Sequence, residues 1–593
     1  MGFIVDLLWL SGGVPAPVWP VGKVRLVESS ISSSAASLGE QSYSSQADAV
    51  LFWDGSLGAP NRGLVQELVG SPVDCWHAGL RLGMGGLPGI LDFISPTWML
   101  ACDPHCDVEA TSWRLSLRAC LVRSDVLRKL GGPRPEFETL AAAALEMGHR
   151  WIRRGALMRH VPGLVEDRRS KIEDGNSPIP HPPSPIHFPF SDEVRFAYYR
   201  SGRKWAAWAV FRAVMTRYVS LSSALRAWRE VMSTPRPAEP PPLRSSDVSS
   251  MRSVVCGQSP GFRSQRSGVR SVPASNRVAP LTGGPAVPAV SVLIPTVDRY
   301  PYLGVLLEQL RQQTIPPLEI IIVDQTERER RQDKLAAEFA DLPLQVIFQD
   351  EPGQCTSRNV GLQIARGDYI LFIDDDDEVQ PDLIEKHLRN LAHFHAEVSS
   401  GVADEVGAGA LPPDFCFLRA SDVFPTNNTM IRRDVLLRSG LFDLAYDRRQ
   451  RADGDLGMRV FLAGAIMILN PAISVLHHHA PSGGLRKHKA RTMTYAASRS
   501  SLFSRAVASA SEFYLAGRYF PPAHAREMFW KSVLGTFSIH GRFGKRLAKV
   551  VVSTVFLPQS VARLRERTRQ AAEMATEFPQ IPRLDRALPN TDR

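Results

Sequence analysis

The sequence predicts an α/β protein in which a mainly parallel, Rossmann-like sheet occurs twice, each copy followed by a helical segment. In the C-terminal half, β-branched runs that end on acids alternate with stretches of helical spacing. The two halves share an internal register. Residues 191–233 and 490–570, which follow the two sheet-like regions, both read as helical.

At about 150 residues per domain, 593 residues imply three or four domains, or two larger ones with extensions. Apolar residues make up 44% and charged residues 22%, as in ordinary globular proteins. The 70 Lys and Arg against 60 acids give a net charge of +10. That balance suits an anionic ligand or membrane surface, or a solvated basic surface plus a basic linker. The cations are not interleaved with aromatics as in a nucleic-acid module, so no nucleic-acid partner is expected. Seven scattered cysteines form no disulfide framework and point to a reducing compartment. Asp6 interrupts the apolar residues 3–10, which argues against a signal peptide. No run reaches the roughly 20 apolar residues of a membrane span. A cytoplasmic protein is expected, at most peripheral at the inner membrane face.

Composition shifts divide the chain. Residues 1–165 form a first sheet domain, and 166–234 a proline-rich break with a helical segment. Residues 235–289, rich in Pro, Ser, Gly and Arg, read as a disordered linker. Residues 290–489 form a second sheet domain, and 490–593 a C-terminal helical region.

VRSDVLRKLGG at 122–132 aligns with IRRDVLLRSGL at 431–441, an offset of 309. The same offset carries Glu146 onto Asp455, Arg150 onto Arg459, Gly155 onto Gly464 and Pro162 onto Pro471. Upstream, ADAVLFWDGS at 47–56 lies over GDYILFIDDD at 367–376 at an offset of 320. A gap-free register holding Arg, acid, Gly and Pro points to duplication rather than to a chance match of apolar segments.

In the second half, Val290–Pro295 is a β-branched run closed by Pro-Thr, hence a buried strand with a turn at its carboxyl end. Leu303–Gln313 has helical spacing. Glu319–Asp324 is a second strand ending on an acid, and Leu344–Gln349 a third. Gln354–Ala365 reads as a helix after the Pro352-Gly353 turn. Tyr369–Ile373 is a fourth strand, ending in Asp374-Asp375-Asp376-Asp377. Ligands of parallel sheets bind beyond the carboxyl ends of strands. Thr296, Asp298, Asp324 and Asp374 all fall there. Four consecutive acids repel one another, and a divalent cation relieves that repulsion. Oxygen ligands suit Mg²⁺ or Mn²⁺, held by one or two carboxylates plus substrate phosphates. The bland alternative is an acidic turn capping a helix at 380–391.

VSVLIPT, EIIIVDQT, GQCTSRNVGLQIARGDYILFIDDDD, NNTMIRRDVLLRSGLFD and ADGDLGMRVFLAG together resemble the family 2 glycosyltransferases over about 190 residues. The resemblance implies the GT-A (nucleotide-diphospho-sugar transferase) fold, here in two copies. It also implies transfer of a sugar, with inversion, from a nucleotide-sugar donor to a glycan or glycolipid acceptor. By position, Asp324 matches the acid that bonds the nucleotide base. Pro295, Thr296 and Asp298 lie where base and ribose are cradled. Arg358 matches a nucleotide-binding arginine. Asp374 and Asp376 match the ends of the DxD motif that holds ribose and metal, with Asp375 between them in the same donor site. Asp453 matches the general base of the ED motif, whose first acid is Ala452 here; Gln325 likewise stands where a second acid is frequent.

The expected metal ligands are Asp374, Asp376 and His477, on Mn²⁺ or Mg²⁺. His477 and His479 fall on one face of the strand-like run Ala472–Leu476 and its continuation, with His478 on the other; surface histidines are the alternative. Asp455 is expected to cap or orient the helix that follows it, and Gly483-Gly484 with Arg486 and Lys487 to form a closing or merely basic loop. In the first half Asp54 lies over Asp374, but Gly55 and Ser56 lie over Asp375 and Asp376, and Ala144 over Asp453. That half is expected to be a degenerate copy used for scaffolding or acceptor binding, against a second active transferase. The helices at 191–233 and 490–570, FWKSVLGTFSIHGRFGKRLAKVVVSTVF among them, either pack on their own sheets or lie on a membrane surface. Rival readings are a non-catalytic carbohydrate or nucleotide binder, a nucleotidyltransferase and a glycoside hydrolase. The nucleotidyltransferase lacks a Gly-rich phosphate loop after the first strand, and a strand-end acid cluster fits the hydrolase poorly.

Overall fold

The computed structural model describes residues 2–10, 13–27, 46–78, 99–165 (except 103 and 106), 188–244, 288–480 (except 333 and 408), 507–537 and 543–584. Two sheets organise the chain. The first holds β1 (Val5–Leu10), β2 (Val24–Val27), β3 (Ala49–Asp54), β4 (Cys75–His77), β5 (Ala110–Thr111), β6 (Ala119–Arg123) and β7 (Met158–His160). The second holds β8 (Val290–Thr296), β9 (Glu319–Asp324), β10 (Leu344–Phe348), β11 (Tyr369–Phe372), β12 (Asp377–Glu378), β13 (Val398–Glu405), β14 (Arg419–Ala420), β15 (Thr429–Arg432) and β16 (Met467–His477). β9 reads EIIIVD and is buried along its whole length, the pattern of a parallel strand covered on both faces.

The strand orders are β2-β1-β3-β6-β4-β7-β5 and β10-β9-β8-β11-β15-β13-β16-β12, with β14 also on β16. All six pairings of the first sheet recur in the second with the same direction. The registers recur too. Ala49 faces Arg123 as Tyr369 faces Arg432. Cys75 faces Met158 as Val398 faces Met467. Thr111 faces Arg159 as Ala420 faces Ile468. All but Cys75 and Val398, which are 323 apart, reproduce the sequence offsets of 309 and 320, so the duplication is structural. Helices Ser124–Leu130 and Arg433–Ser439 correspond end to end. Among the described residues the first sheet has no counterpart of β10, β12 or helix Gln354–Ile364.

A helical segment follows each sheet and is tied to it in the same way. Glu146, fully buried on helix Leu140–Arg153, pairs with Arg150 one turn on and with Arg200 of helix Phe190–Ser201. Asp455, fully buried on helix Ala452–Leu462, pairs with Arg459 and with Arg518 of helix Ala510–Tyr519. Arg150 donates to the Leu130 carbonyl and Arg459 to that of Ser439, equivalent positions. Asp455 therefore orients its helix, as expected.

The halves meet through reciprocal contacts. Helix Leu140–Arg153 lies on β14, and helix Ala452–Leu462 on β5. Gly155 (φ 87°) is so close to the Leu418 carbonyl that a Cβ would lie 2.7 Å from it. Gly464 (φ 82°) meets the Glu109 carbonyl at the same 2.7 Å. One continuous apolar core runs through both halves, beside smaller ones under each sheet.

Of the range read as disordered linker, 235–289, the first ten residues depart from that expectation. Leu243 is buried and its N–H donates to the Arg154 carbonyl, while Arg244 makes a two-pronged ion pair with Asp74. A proline-rich composition concealed these anchors. Residues 245–287 lie outside the described residues, as do the loop carrying Arg486 and Lys487 and the helical reading of 490–506.

Candidate active site

β9, β8 and β11 lie side by side and parallel, with Thr296 opposite Asp324. Their carboxyl ends therefore bring the loops after Thr296, Asp324 and Phe372, and with them Asp298, Asp324 and Asp374, to one edge. Pro295 is half-buried on the last turn of β8. The chain then turns at Asp298 in the left-handed region (φ 56°), its N–H donating to Thr326 Oγ1 and its carboxylate pairing with Arg330. Asp324 is buried; it accepts from the Tyr300 hydroxyl (2.5 Å) and the Thr326 N–H (2.9 Å). Burial and that bond push the Tyr300 hydroxyl up.

The four aspartates have four different surroundings. Asp374 Oδ1 accepts from Arg358 Nη2 at 2.9 Å. Arg358 is placed for this by helix Gln354–Ile364, whose N-terminus is capped from a distance by Asp447, which accepts from the N–H groups of Cys355 and Thr356. Asp375 is bonded by Thr296 Oγ1 and Arg299 Nη1, both at 2.8 Å. Burial, opposed by Arg299 and reinforced by Asp376, raises it to about 6. Asp375 thus knits the loops together, with both oxygens engaged. Asp376 Oδ2 accepts the Ala480 N–H, while Oδ1 is buried without a hydrogen bond and faces the Arg299 guanidinium at 3.0 Å. Asp377 accepts from the Asp374 N–H and contacts His477 Nδ1 at 2.8 Å; burial, opposed by His477, raises it to about 7.

β16 carries His477 to this cluster by pairing antiparallel with β12, Asp377 opposite His477. Burial would lower this imidazole, but the bond from Asp377 and the charges of Asp376 and Asp374 raise it to about 9. The strand ends at His477, so the strand alternation expected for the three histidines does not extend to them: His479 turns in the left-handed region (φ 51°) and its ring sits edge-on 4.4 Å from that of His477, while His478 bonds Glu378. Asp453 lies in the first turn of helix Ala452–Leu462, exposed, and among the described residues it is not bonded to the acid cluster.

Do these residues suit a divalent cation? Among the described residues no group of three or more His, Cys, Asp or Glu side chains is placed to hold a metal ion by itself. Two or three atoms of the cluster would remain for a cation that a ligand's phosphates also hold: the Asp374 oxygen that Arg358 leaves, Asp376 Oδ1, which makes no hydrogen bond but lies 3.0 Å from the Arg299 guanidinium, and Nε2 of His477, whose Nδ1 is held by Asp377. An open carboxylate set that leaves coordination places to a ligand's phosphates suits Mg²⁺ or Mn²⁺.

In the first half, Asp54 accepts from the Ser56 N–H and from Arg118 Nε at 2.6 Å. These bonds outweigh burial and hold its carboxyl below the usual range. Ala144, over Asp453, is fully buried in the shared core.

The sequence reading did not single out Arg299, Tyr300, Thr326, Asp377 or Asp447. Arg299 and Tyr300 follow Asp298 directly, and a cation beside an acid run was the available signal. Asp447 acts on residues some 90 positions away, which no local pattern reveals.

Residues 291–412 match the sequence profile described as "Glycosyl transferase family 2". The putative glycosyltransferase EpsH of Bacillus subtilis is 41% identical over 104 residues, 17% of this chain and 30% of EpsH. The uncharacterized glycosyltransferase YwdF of B. subtilis is 32% identical over 167 residues, 26% of this chain and 62% of YwdF. The chain thus covers less than two thirds of these relatives. A solved fragment, S. aureus TarS 1-349, aligns with 51% of this chain and 94% of that one at 15% identity, with a TM-score of 0.33. The strand-end acids Asp298, Asp324 and Asp374 all fall inside the segment, 291–412, that is similar to the family 2 glycosyltransferases.

Proposed function

We propose that this domain moves a glycosyl group from a nucleotide-diphosphate sugar to an acceptor hydroxyl, with inversion at the anomeric carbon. The observation that carries the reading is the convergence of Asp324, Arg358, Asp374 and Asp376 at the carboxyl edge of three adjacent parallel strands inside the matched segment. Asp324, with Thr296 and Asp298 close by, receives base and ribose. Arg358 and Arg299 supply positive charge beside the acids. Asp374, Asp376 and His477 would hold Mn²⁺ or Mg²⁺ together with the donor's phosphates, and the metal would supply positive charge beside the leaving diphosphate. Asp453, exposed and unbonded to the cluster, takes the proton of the acceptor hydroxyl.

Two relatives bear names that speak of cell-surface polymers: the putative teichuronic acid biosynthesis glycosyltransferase TuaG, and the poly(ribitol-phosphate) β-N-acetylglucosaminyltransferase TarS. They support a surface polysaccharide or glycolipid acceptor. The first half acts as a non-catalytic scaffold, because Asp54 is consumed by Arg118 and Ala144 is sealed in the core.

The test is release or transfer of sugar from a panel of nucleotide-sugars with Mn²⁺, beside Asp376→Asn. Donor turnover that depends on Mn²⁺ and falls by about 10³ in the variant is expected. A full panel without turnover, and without stabilisation by any nucleotide diphosphate, would sink the reading.

A further inference from the structure

Three helices expose large apolar side chains although each belongs to a packed segment. Helix Arg203–Met215 shows Trp205 (51% exposed), Phe211 and Met215. Helix Pro522–Gly535 shows Trp530 (58%) and Leu534. Helix Phe543–Val555 shows Leu547, Val551 (54%) and Val555 (69%), at the spacing of one helical stripe. They are neighbours in space. Lys531 lies 5.4 Å from the Trp205 ring, Trp208 Nε1 donates to Glu527 at 3.0 Å, and Ser553 Oγ donates to the Thr536 carbonyl at 2.7 Å.

Their charge is one-sided. The three helices contain eight Lys or Arg and a single acid, Glu527. That acid is already engaged by Arg212 and Lys531. Eight cations against one acid therefore fall on the helices that expose Trp205, Trp530, Leu547 and Val551. Half-exposed tryptophans, an aliphatic stripe and an excess of cations over acids are the makings of a surface that lies in a lipid headgroup layer. Among the described residues no helix is long and apolar enough to cross a membrane, so attachment through these helices would be one-sided.

We propose that the three helices, drawn from both halves of the chain, form one docking surface for an anionic lipid bilayer. The inference rests on the proposed function for its purpose, bringing the domain to a membrane-held acceptor. Its binding chemistry is independent of that reading.

Flotation of the full chain with vesicles tests it. Phosphatidylglycerol–phosphatidylcholine vesicles should carry the protein at least tenfold better than phosphatidylcholine alone, and 0.5 M salt should weaken the binding. The double variant Val551→Asp, Val555→Asp changes two exposed side chains. It should lose at least tenfold in vesicle binding while keeping the thermal midpoint and donor-sugar hydrolysis of the parent chain. Trp530→Ala should lose less and in the same direction. Failure of the full chain to float with the anionic vesicles overturns the proposal, as does undiminished binding of the double variant. So does self-association that the double variant abolishes, since a second copy would then be the occupant. Vesicle binding without any donor turnover would leave this surface standing and count only against the transferase reading.

Discussion

The first and second halves share strand order, strand direction, register and the buried acid–arginine tie to a helical segment, yet their carboxyl edges differ completely. Where the second half's edge places Arg358, Asp374 and Asp376, the first places Asp54 locked to Arg118, and the helix position of the exposed Asp453 is held in the first half by the buried Ala144. What is retained serves packing, and what is missing is the candidate site. The retained set also includes the join itself. Gly155 meets Leu418 as Gly464 meets Glu109, and each residue of the first pair lies 309 positions from its counterpart. That reciprocity is the geometry of an isologous dimer written into one chain. Such a join needs both halves folded, whether or not both react.

The largest expected difference between the halves is catalytic. Asp453→Asn should lower kcat by about 10²–10⁴, the range for a lost general base, with an unchanged thermal midpoint because the side chain is exposed. Asp54→Asn should leave kcat alone and cost roughly 1–3 kcal/mol of stability, since it weakens a charged bond to Arg118. Steady-state rates and urea melts of the two variants check this. A matching loss of kcat in Asp54→Asn would mean that the first half takes part in the reaction.

Next comes the tie to the helical segments. Asp455→Ala takes the carboxylate from Arg459 and leaves Arg518 only Asp443, and Glu146→Ala takes it from Arg150 and leaves Arg200 only Glu239 among their acids. Removing one partner of a buried pair costs about 3–5 kcal/mol. Urea midpoints should fall by similar amounts in the two variants. A loss confined to one would show that the equivalence is of shape and not of energy.

The join is the third comparison. Gly155→Ala and Gly464→Ala each put a methyl within 2.7 Å of a carbonyl of the opposite half, at a backbone angle that costs alanine about 1–2 kcal/mol by itself. With the overlap added, roughly 2–4 kcal/mol is expected for each. Thermal midpoints that move for one glycine alone would break the pseudo-twofold reading.

How far these features could be read in the sequence depended on their range. β9 and β11 were legible because an apolar run ends on an acid, a purely local signal. The 309-residue register was legible because Arg150, Gly155 and Pro162 recur without gaps. The tasks of the four aspartates were not. Asp375 is drawn to Thr296 and Arg299 from more than 70 residues away, and Asp377 to His477 from 100. Sequence showed that the run would repel itself, but only packing shows which carboxylates are neutralised internally and which oxygen is left over. The join between halves was equally hidden: Gly155 and Gly464 could be aligned, but the carbonyl each one meets belongs to the opposite half.

The smallest effect concerns acid. Each half buries an imidazole: His77 in the first is lowered to about 3 by burial, then by His160, and His387 in the second to about 4 by burial. Both folded values lie below the unfolded value of 6.5, so the unfolded chain takes up the proton first as pH falls. Their contribution to stability is complete above about pH 6.5 and drains away toward pH 4 or 3. At pH 5 each histidine should have removed about 2 kcal/mol relative to neutral pH. The two differ in their bonds. His387 is held by Ser399 and Asn428 through both nitrogens, whereas His77 bonds only the Ser112 carbonyl and its Nδ1 is buried without a partner. His387→Gln should therefore lower stability at neutral pH and also flatten the acid slope. His77→Gln should flatten the slope with less cost at neutral pH, because one unsatisfied nitrogen is removed with the ring. Urea melts of both variants at pH 7 and pH 5 measure this, and an unchanged slope in His387→Gln would show that its charging does not govern the acid response.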